Sequence, residues 1–489
     1  TAGLLYMTAN HMLYTLGGVL LALGVTRVIP LVCSLYYGEG DALSFIISIM
    51  VTSGAGATLL LLFRPKDETI VLGHREGFII VTAGWLLAAV FGSLPYVLEG
   101  IFPTYADAFF ETMSGFTTTG ATVIKKIEGL PRGIILWRSL SQWLGGMGII
   151  ILSIAILPFL GVGGRQLFRA ELPGPVKDKL KPRIVEAARS LWLIYIIISL
   201  VEFILLLFGG MSVYDSLCHT FSTMATGGFS TKDASVGHYG SLYIDLVITV
   251  FMVAAGMNFT LHFLVLSGRI KTLFKDGEFL FFMAVIFIAT ALVTINIWGS
   301  VVAGAGESLR YASFQVVSIL TTTGFVTHDF SQWPVLSQII LVLLMFIGGS
   351  AGSTSGGMKC VRFLLVIKHS YKELYRLVHP HAVIRVKLGE NTVSPDIMAS
   401  IWGFFVLYIA LTLTAVLAMS LLGLDMITSV TSVAATISNT GPGLGMVHPM
   451  TNYSEIPYLG KWILSFCMLL GRLEIYTVLV LLIPEFWRK

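Results

Sequence analysis

Four short threonine- and glycine-rich runs recur along the chain, and the chemistry they offer is that of their backbone. They read Thr118-Thr119-Gly120-Ala121-Thr122, Ala225-Thr226-Gly227-Gly228-Phe229, Thr322-Thr323-Gly324-Phe325-Val326 and Asn439-Thr440-Gly441-Pro442-Gly443. With Gly120, Gly227, Gly324 and Gly441 taken as equivalent, the spacings are 107, 97 and 117 residues, the mark of an internal repeat. A lone Thr-Thr-Gly says little, because small residues in membrane helices ordinarily serve close packing. Four in the same setting point to one shared structure. Glycine adopts dihedrals that turn successive carbonyls to one side, and its missing Cβ lets four segments approach one axis. Carbonyls arranged in that way replace the hydration shell of a permeating cation. The threonine hydroxyls can bond locally and brace the turn.

The surrounding elements must carry these runs to a common axis. Each run follows a semi-polar helical stretch, at about 104–118, 213–225, 308–322 and 425–438. These are too short to cross a bilayer, which takes about 20 apolar residues. Their C-terminal ends carry partial negative charge and favour a cation at the turn. Asp107, Asp215 and Asp425 begin three of them, where a carboxylate offsets the N-terminal dipole. Ten apolar stretches surround them and read as spans: 12–37, 42–63, 76–98, 134–160, 189–210, 242–267, 278–300, 335–369, 396–420 and 458–485. The composition agrees, with 55% hydrophobic and 12% charged residues in 489; a soluble domain carries roughly 25% charged residues. The first apolar run is long for a signal peptide, whose apolar part is about 7–15 residues, and reads as a span. Cys33, Cys218, Cys360 and Cys467 show no metal-ligand spacing and read as buried apolar residues.

Charge sets the expected orientation. Loops 64–77, 161–190, 268–277 and 368–395 and the C-terminus hold 20 of the 31 Lys and Arg, all on one side of a ten-span arrangement. Both termini are therefore expected in the cytoplasm, and the Thr/Gly runs enter from outside. The other side keeps Lys125, Lys126, Arg132 and Lys232, with Arg138, Arg310 and Lys461 at helix starts. The expected fold is an all-α integral membrane protein. An N-terminal helix pair (1–70) precedes four pseudo-repeats (71–165, 166–270, 271–380 and 381–489). Each repeat is a span, a pore helix, a filter loop and a second span around one pore.

The second span of each repeat carries a small-residue break: Gly145-Gly146-Met147-Gly148, Ala255-Gly256-Met257-Asn258, Gly348-Gly349-Ser350-Ala351 and Leu470-Gly471-Arg472-Leu473. In the third repeat the break extends to Lys359 with five glycines and three serines, which cannot hold a regular helix. Irregular backbone at that depth must lie in protein or beside water. It is expected to be a loop obstructing the inner pore, with Gly348, Gly349, Ser350, Gly352, Ser353, Gly356, Gly357 and Lys359 as gate residues; a plain kink is the alternative. Gly348-Gly349-Ser350-Ala351-Gly352 also fits a nucleophile elbow. That motif needs a strand-to-helix turn and a histidine, for which the spans offer only His219 and His262.

Arg472 lies midway in an apolar span, where a charge costs at least about 2.5–3.5 kcal/mol and snorkelling is hard. Two roles stand open: capping buried carbonyls of a neighbouring helix, or opposing cations in the pore. Both hold together if the carbonyls belong to the Gly-rich loop. Glu474, two residues on, is expected on nearly the opposite face, and Lys359 and Arg362 at the cytoplasmic membrane surface. Asn258 and Glu202 receive no role.

With these residues the chain resembles the Trk/Ktr/HKT potassium transporter family, closest to its bacterial TrkH/TrkG branch. The likeness rests on the four runs, the Gly348–Lys359 segment and Arg472, and spans nearly the whole chain. It implies gated potassium uptake across the bacterial inner membrane, with a potassium ion in the filter as the only bound species and no covalent cofactor. Thr118, Thr119, Gly120, Ala225, Thr226, Gly227, Thr322, Thr323, Gly324, Asn439, Thr440 and Gly441 would form the filter. In that family a glycine in every repeat goes with potassium, and a serine in the first with sodium; Gly120 matches the potassium form. The fourth run departs from the pattern but keeps its glycine. The resemblance further implies a homodimer, membrane lipid around it, and a cytosolic nucleotide-binding regulatory subunit of the TrkA type; neither an enzyme nor a nucleic-acid partner is expected. The rival reading is a secondary carrier coupled to protons or sodium. Carriers often use inverted repeats, whereas these four share one orientation.

Overall fold

The computed structural model describes residues 2–65, 73–155, 180–389 and 391–488. Of the basic residues that set the expected orientation, Lys66, Arg165, Arg169, Lys177, Lys179 and Lys489 lie outside them. The chain opens with α1 (Ala2–Thr26), α2 (Val28–Tyr37) and α3 (Ala42–Leu62). Glycines let α1 and α3 touch: a Cβ on Gly56 would sit 2.7 Å from the Leu21 amide nitrogen, and one on Gly17 would sit 2.8 Å from Leu59 Cβ.

Arg27, at the turn between α1 and α2, is fully buried. Its Nη1 donates to Ser48 Oγ (2.7 Å) and Thr52 Oγ1 (2.5 Å) on α3. Its Nη2 donates to the Phe91 carbonyl (2.6 Å), and its guanidinium lies 4.9 Å from the Trp137 ring. One side chain thus fastens the N-terminal pair to the rest of the molecule.

The chain continues through α4 (His74–Gly92), α5 (Leu94–Leu98), α6 (Tyr105–Phe116) and α7 (Arg132–Ala155), then α8 (Leu180–Phe208), α9 (Val213–Met224), α10 (Leu242–Gly256) and α11 (Phe259–Leu266). Next come α12 (Gly277–Ile297), α13 (Ala305–Leu320), α14 (Val335–Ile347) and α15 (Cys360–Val378). The last part holds α16 (Pro395–Leu421), α17 (Met426–Ile437), α18 (Tyr458–Arg472), α19 (Tyr476–Leu479) and α20 (Pro484–Trp487). A two-residue antiparallel ribbon, β1 (Lys387–Leu388) with β2 (Asn391–Thr392), is a minor addition to a mostly helical fold. It is a tight hairpin in the linker before α16.

The four short helices are α6, α9, α13 and α17, of 12, 12, 16 and 12 residues. Three start on a side-chain cap: Thr104, Ser212 and Asp425 accept from the amides of Asp107, Asp215 and Thr428. Every α6 residue from Ala106 to Phe116 is buried, polar ones included, because protein rather than lipid surrounds it. Six helices are long and apolar enough to cross a membrane, and two bent pairs raise the number to eight among the described residues. The bends are α10–α11 at 103° and α18–α19 at 109°. Length and composition therefore account for up to eight crossings, against ten expected. Of the other two, α7 carries Arg138 and Gln142 on an interior face and needs less hydropathy, and α14 stops after 13 residues at Gly348.

Ion pairs tie the units together. Asp107 on α6 meets Lys461 on α18 at 2.6 Å, and Asp245 on α10 meets Arg310 on α13 at 2.7 Å. Arg27→Ala should lower the thermal midpoint of the detergent-solubilised protein, since hydrogen bonds to a charged group are each worth about 1.5–3 kcal/mol. Arg27→Lys should restore only part, because an ammonium lacks the fork that spans both helices. Differential scanning fluorimetry checks this; an unchanged midpoint for the alanine variant would refute the fastening role.

Candidate cation-conducting site

Each short helix ends in the same backbone motif. Thr118, Thr226, Thr322 and Asn439 all sit in the left-handed region, with φ of 51°, 52°, 56° and 55°. The next amides, on Thr119, Gly227, Thr323 and Thr440, reach back to the carbonyls of Ser114, Ser222, Ser318 and Ala435 at 2.8–2.9 Å. This is a Schellman closure with threonine or asparagine where glycine is usual. A left-handed conformation costs a non-glycine residue roughly 1–2 kcal/mol, so the surroundings must hold it.

The residue after this closure is glycine in every case: Gly120, Gly228, Gly324 and Gly441, with φ of 82°, 75°, 82° and 97°. The second run is therefore one residue out of the register read from sequence. Gly228, not Gly227, matches Gly120, and Ala225 matches Thr117, Thr321 and Ser438 at the helix ends. Thr-Gly-Gly offers two alignments, and only the backbone angle separates them. A second position supports the shift: Glu111, His219 and Gln315 stand nine residues before the glycines, and each holds the strand that leaves the turn. Glu111 accepts from the Val123 amide (2.9 Å), His219 Nε2 meets Ser230 Oγ (3.0 Å), and Gln315 Nε2 donates to the Phe325 carbonyl (3.5 Å).

The four glycines form a closed ring of contacts. A Cβ on Gly120 would lie 2.2 Å from the Gly227 carbonyl oxygen, and one on Gly228 2.0 Å from that of Thr323. One on Gly324 would lie 2.1 Å from the Thr440 oxygen, and one on Gly441 2.7 Å from the Thr119 oxygen. Each segment presses its glycine on the carbonyl of the next, and the fourth returns to the first. Hydroxyls brace the ring, with Thr117 Oγ1 to Thr119 Oγ1 and Thr321 Oγ1 to Thr323 Oγ1 both at 2.8 Å. Asn439 Nδ2 crosses from the fourth segment to Thr119 Oγ1 (3.0 Å) and also reaches the Met468 carbonyl (2.9 Å). Gln142 clamps the second segment, donating to the Gly227 carbonyl (2.6 Å) and accepting from the Phe229 amide (3.1 Å). Arg138 lies over Phe229 at 3.8 Å and pairs with Glu111 at 2.7 Å. Sequence reading gave no role at the filter to Gln142, Glu111 or Arg138; the signal was an arginine and a glutamine four residues apart in an apolar stretch and a glutamate inside a short helix.

Next to the ring, α14 ends and residues 348–359 form an irregular loop that re-enters helix at Cys360. The loop is fixed to several parts of the molecule. The Ser350 amide meets the Gly256 carbonyl (2.9 Å), and Thr354 Oγ1 meets the carbonyls of Met224 (3.0 Å) and Ala255 (3.1 Å). The Gly356 amide meets Thr322 Oγ1 (2.6 Å), and that of Gly357 meets the Ser438 carbonyl (3.0 Å). Gly348, Gly352 and Gly357 hold positive φ, and the Phe259 amide donates to the Gly352 carbonyl. Ser353 closes a local turn on the Ser350 carbonyl (2.6 Å), while Gly349 accepts from the Cys360 amide (2.9 Å).

Arg472 is buried and donates through Nη1 to the Thr354 carbonyl of this loop (2.6 Å) and through Nη2 to the Gly145 carbonyl of α7 (3.1 Å). It therefore caps carbonyls, and one of them belongs to the Gly-rich loop. Lys359 and Arg362 do not reach the membrane surface as expected; both are buried. Lys359 Nζ donates to the Ser355 carbonyl, while Arg362 pairs with Glu474 and lies 4.0 Å over Phe404. Reversed loop carbonyls and a buried carboxylate need donors there. The break at Gly145–Gly148 is also absent, since α7 runs through it. Its glycines serve contact instead: a Cβ on Gly145 would meet the Phe116 carbonyl at 2.1 Å. Among the described residues the hydrogen bonds of the two histidines go elsewhere than Ser350: His219 bonds Ser230 and the Asp215 carbonyl, and His262 bonds the Ala254 carbonyl.

The sequence profile of the family described as TrkH, cation transport protein, matches residues 42–489. The chain belongs to the TrkH family. The Trk system potassium uptake protein TrkH of Escherichia coli K12 is 43% identical over 468 residues, covering 95% of this chain and 96% of that protein. TrkH of Halomonas elongata is 43% identical over 488 residues, covering 99% and 100%. The crystal structure of the potassium transporter TrkH from Vibrio parahaemolyticus superposes with a TM-score of 0.90 at 37% identity, covering 98% of this chain and 99% of that one. With its apolar helices, this TrkH-family chain is a multi-pass membrane protein.

The register is testable. Gly228→Ala drives a Cβ into the Thr323 backbone and should abolish cation flux. The nearest atoms to a Cβ in Gly227→Ala are those of the Gln142 side chain, 2.4–2.7 Å away, so Gln142→Ala should partly restore that variant. Rubidium uptake in reconstituted liposomes checks this; rescue of Gly228→Ala, or none for Gly227→Ala, would return the register to Gly227.

Proposed function

We propose that this protein mediates gated, potassium-selective uptake across the bacterial cytoplasmic membrane, through one pore in which the four Thr/Gly segments form the filter. The closed ring of glycine-to-carbonyl contacts carries the reading. Such a ring brings the carbonyls of Thr119, Gly227, Thr323 and Thr440 together at the ends of four helices, whose dipoles favour a cation. Carbonyl oxygens suit an ion that sheds its water. The relatives are potassium uptake proteins by name. The apolar stretches support ten spans, and the charge distribution supports cytoplasmic termini. A homodimer and a cytosolic nucleotide-binding regulator of the TrkA type follow from family membership.

The loop 348–359 is the gate in this reading, and Arg472 its lock. Two like charges about 6 Å apart at an effective dielectric near 20 repel by roughly 3 kcal/mol. Each 1.36 kcal/mol is about tenfold in rate, so the arginine and the loop together form an appreciable barrier. Opening must withdraw both, and the hydrogen bond from Arg472 to Thr354 makes them one unit.

Potassium and rubidium flux into liposomes should far exceed sodium flux, with or without an imposed proton gradient. Gly120→Ser should admit more sodium, because its Cβ must displace the Gly227 carbonyl. Equal sodium and potassium flux would sink the filter assignment, and flux that requires the gradient would favour the coupled carrier.

Arg472→Ala should raise flux in the protein without its regulator, by removing both the charge and the bond to Thr354. Arg472→Lys keeps the charge but cannot fork to two carbonyls, so its flux should fall between wild type and alanine. A well-folded alanine variant that conducts less than wild type would overturn the lock assignment.

A further inference from the structure

The amides of loop 348–359 find two kinds of acceptor. Backbone carbonyls of Gly256, Ala255, Ser438 and Phe346 take those of Ser350, Thr354, Gly357 and Met358. Side chains take two more. One is Thr322 Oγ1, which is part of the ring segments. The other is Glu278 Oε1, which accepts from the Ala351 amide at 2.6 Å. Glu278 lies outside the ring, in the first turn of α12, and is 4% exposed. Asp276, two residues earlier, caps that helix by accepting from the Phe279 amide (2.7 Å). Before it runs the polar linker Ser267–Lys275, with Arg269, Lys271 and Lys275.

We infer that Glu278 is a latch that holds the gate loop closed and links it to the linker before α12. This rests on the reading of the loop as the gate. Ala351 is the fourth residue past Ile347, where α14 has stopped, so its amide has no helical partner. A carboxylate is the stronger kind of acceptor for it. Most other loop contacts are made to the helix ends around the filter, and the Gly352 carbonyl accepts from the Phe259 amide of α11, the helix that runs into the same linker. Glu278 is carried by the first turn of a helix that the linker enters directly. Glu278 also bonds the Val361 backbone at the start of α15, and its charged neighbours are Lys359 on the loop and Asp276 on its own helix; the bond to Ala351 is the one it makes within the loop. A small displacement of the α12 end releases Ala351 and leaves the filter contacts in place. Glu278 is a positioning residue: it acts on the ion path through the loop.

The test uses the full chain in potassium-loaded liposomes without a regulator, with rubidium uptake as one readout. The second readout is modification of Cys360 by a small methanethiosulfonate, located by mass spectrometry. Cys360 is buried at the base of the loop, its thiol on the Gly348 carbonyl at 3.1 Å. Glu278→Leu should raise both rubidium uptake and Cys360 labelling by about tenfold, the size expected for one lost charge-assisted hydrogen bond. Glu278→Asp, one methylene shorter, should raise both less and guards against a leucine variant that fails to fold. Glu278→Gln keeps an acceptor oxygen and should return both severalfold toward wild type. Wild-type uptake and labelling in the aspartate and leucine variants would overturn the latch, as would raised uptake without raised labelling. A variant lacking Ser353–Gly356 separates the two ideas. If it keeps wild-type uptake, the loop is not the gate; if it conducts faster while the Glu278 variants do not, only the latch is wrong.

Discussion

Everything in this protein is arranged around one steric condition: four backbone segments meet so closely that a Cβ at any of four positions must displace a neighbouring carbonyl. The contacts Gly120–Gly227, Gly228–Thr323, Gly324–Thr440 and Gly441–Thr119 run in one direction and close on themselves. That closure fixes where the four short helices must point and demands the left-handed turns at Thr118, Thr226, Thr322 and Asn439. Three of those four are β-branched, which a left-handed conformation disfavours. Fixed backbone bonds and buried surroundings hold them in place, as is common where strain serves a site.

The second condition is that irregular backbone inside a membrane must find partners. The twelve-residue break in the third unit does so by bonding to the ends of α9, α10 and α17 and to Thr322. Arg472 then links it to α7. A chain of four joined units can place such a loop in one unit only. A homotetramer could not, since four copies would compete for the same space beside the ring.

Charge pairs, three of them largely buried and two exposed, contribute to the joining. Of the seven basic residues that charge counting left on the outer side, Lys125, Arg132, Arg138, Arg310 and Lys461 all pair with a carboxylate. A buried ion pair contributes little net stability but is costly to break on one side, so it specifies which surfaces meet. The Asp107–Lys461 and Asp245–Arg310 pairs join helices far apart in sequence.

The sequence by itself determined the class of molecule, the four short helices within about three residues of their ends, and the interruption after Ile347. These follow from local facts: hydropathy, helix length and glycine density. It also flagged Arg472, because an arginine in an apolar stretch must have a reason. Tertiary structure alone decided the register of the second run, since Thr-Gly-Gly permits two alignments and the choice lies in which glycine faces a neighbouring carbonyl. It also decided that Gly145–Gly148 is a contact surface rather than a break, and that Arg362 turns inward to Glu474. Glu278 and Gln142 were illegible for the same reason: each acts on an amide or carbonyl more than 70 residues away in the chain, and no local pattern encodes a partner at that distance.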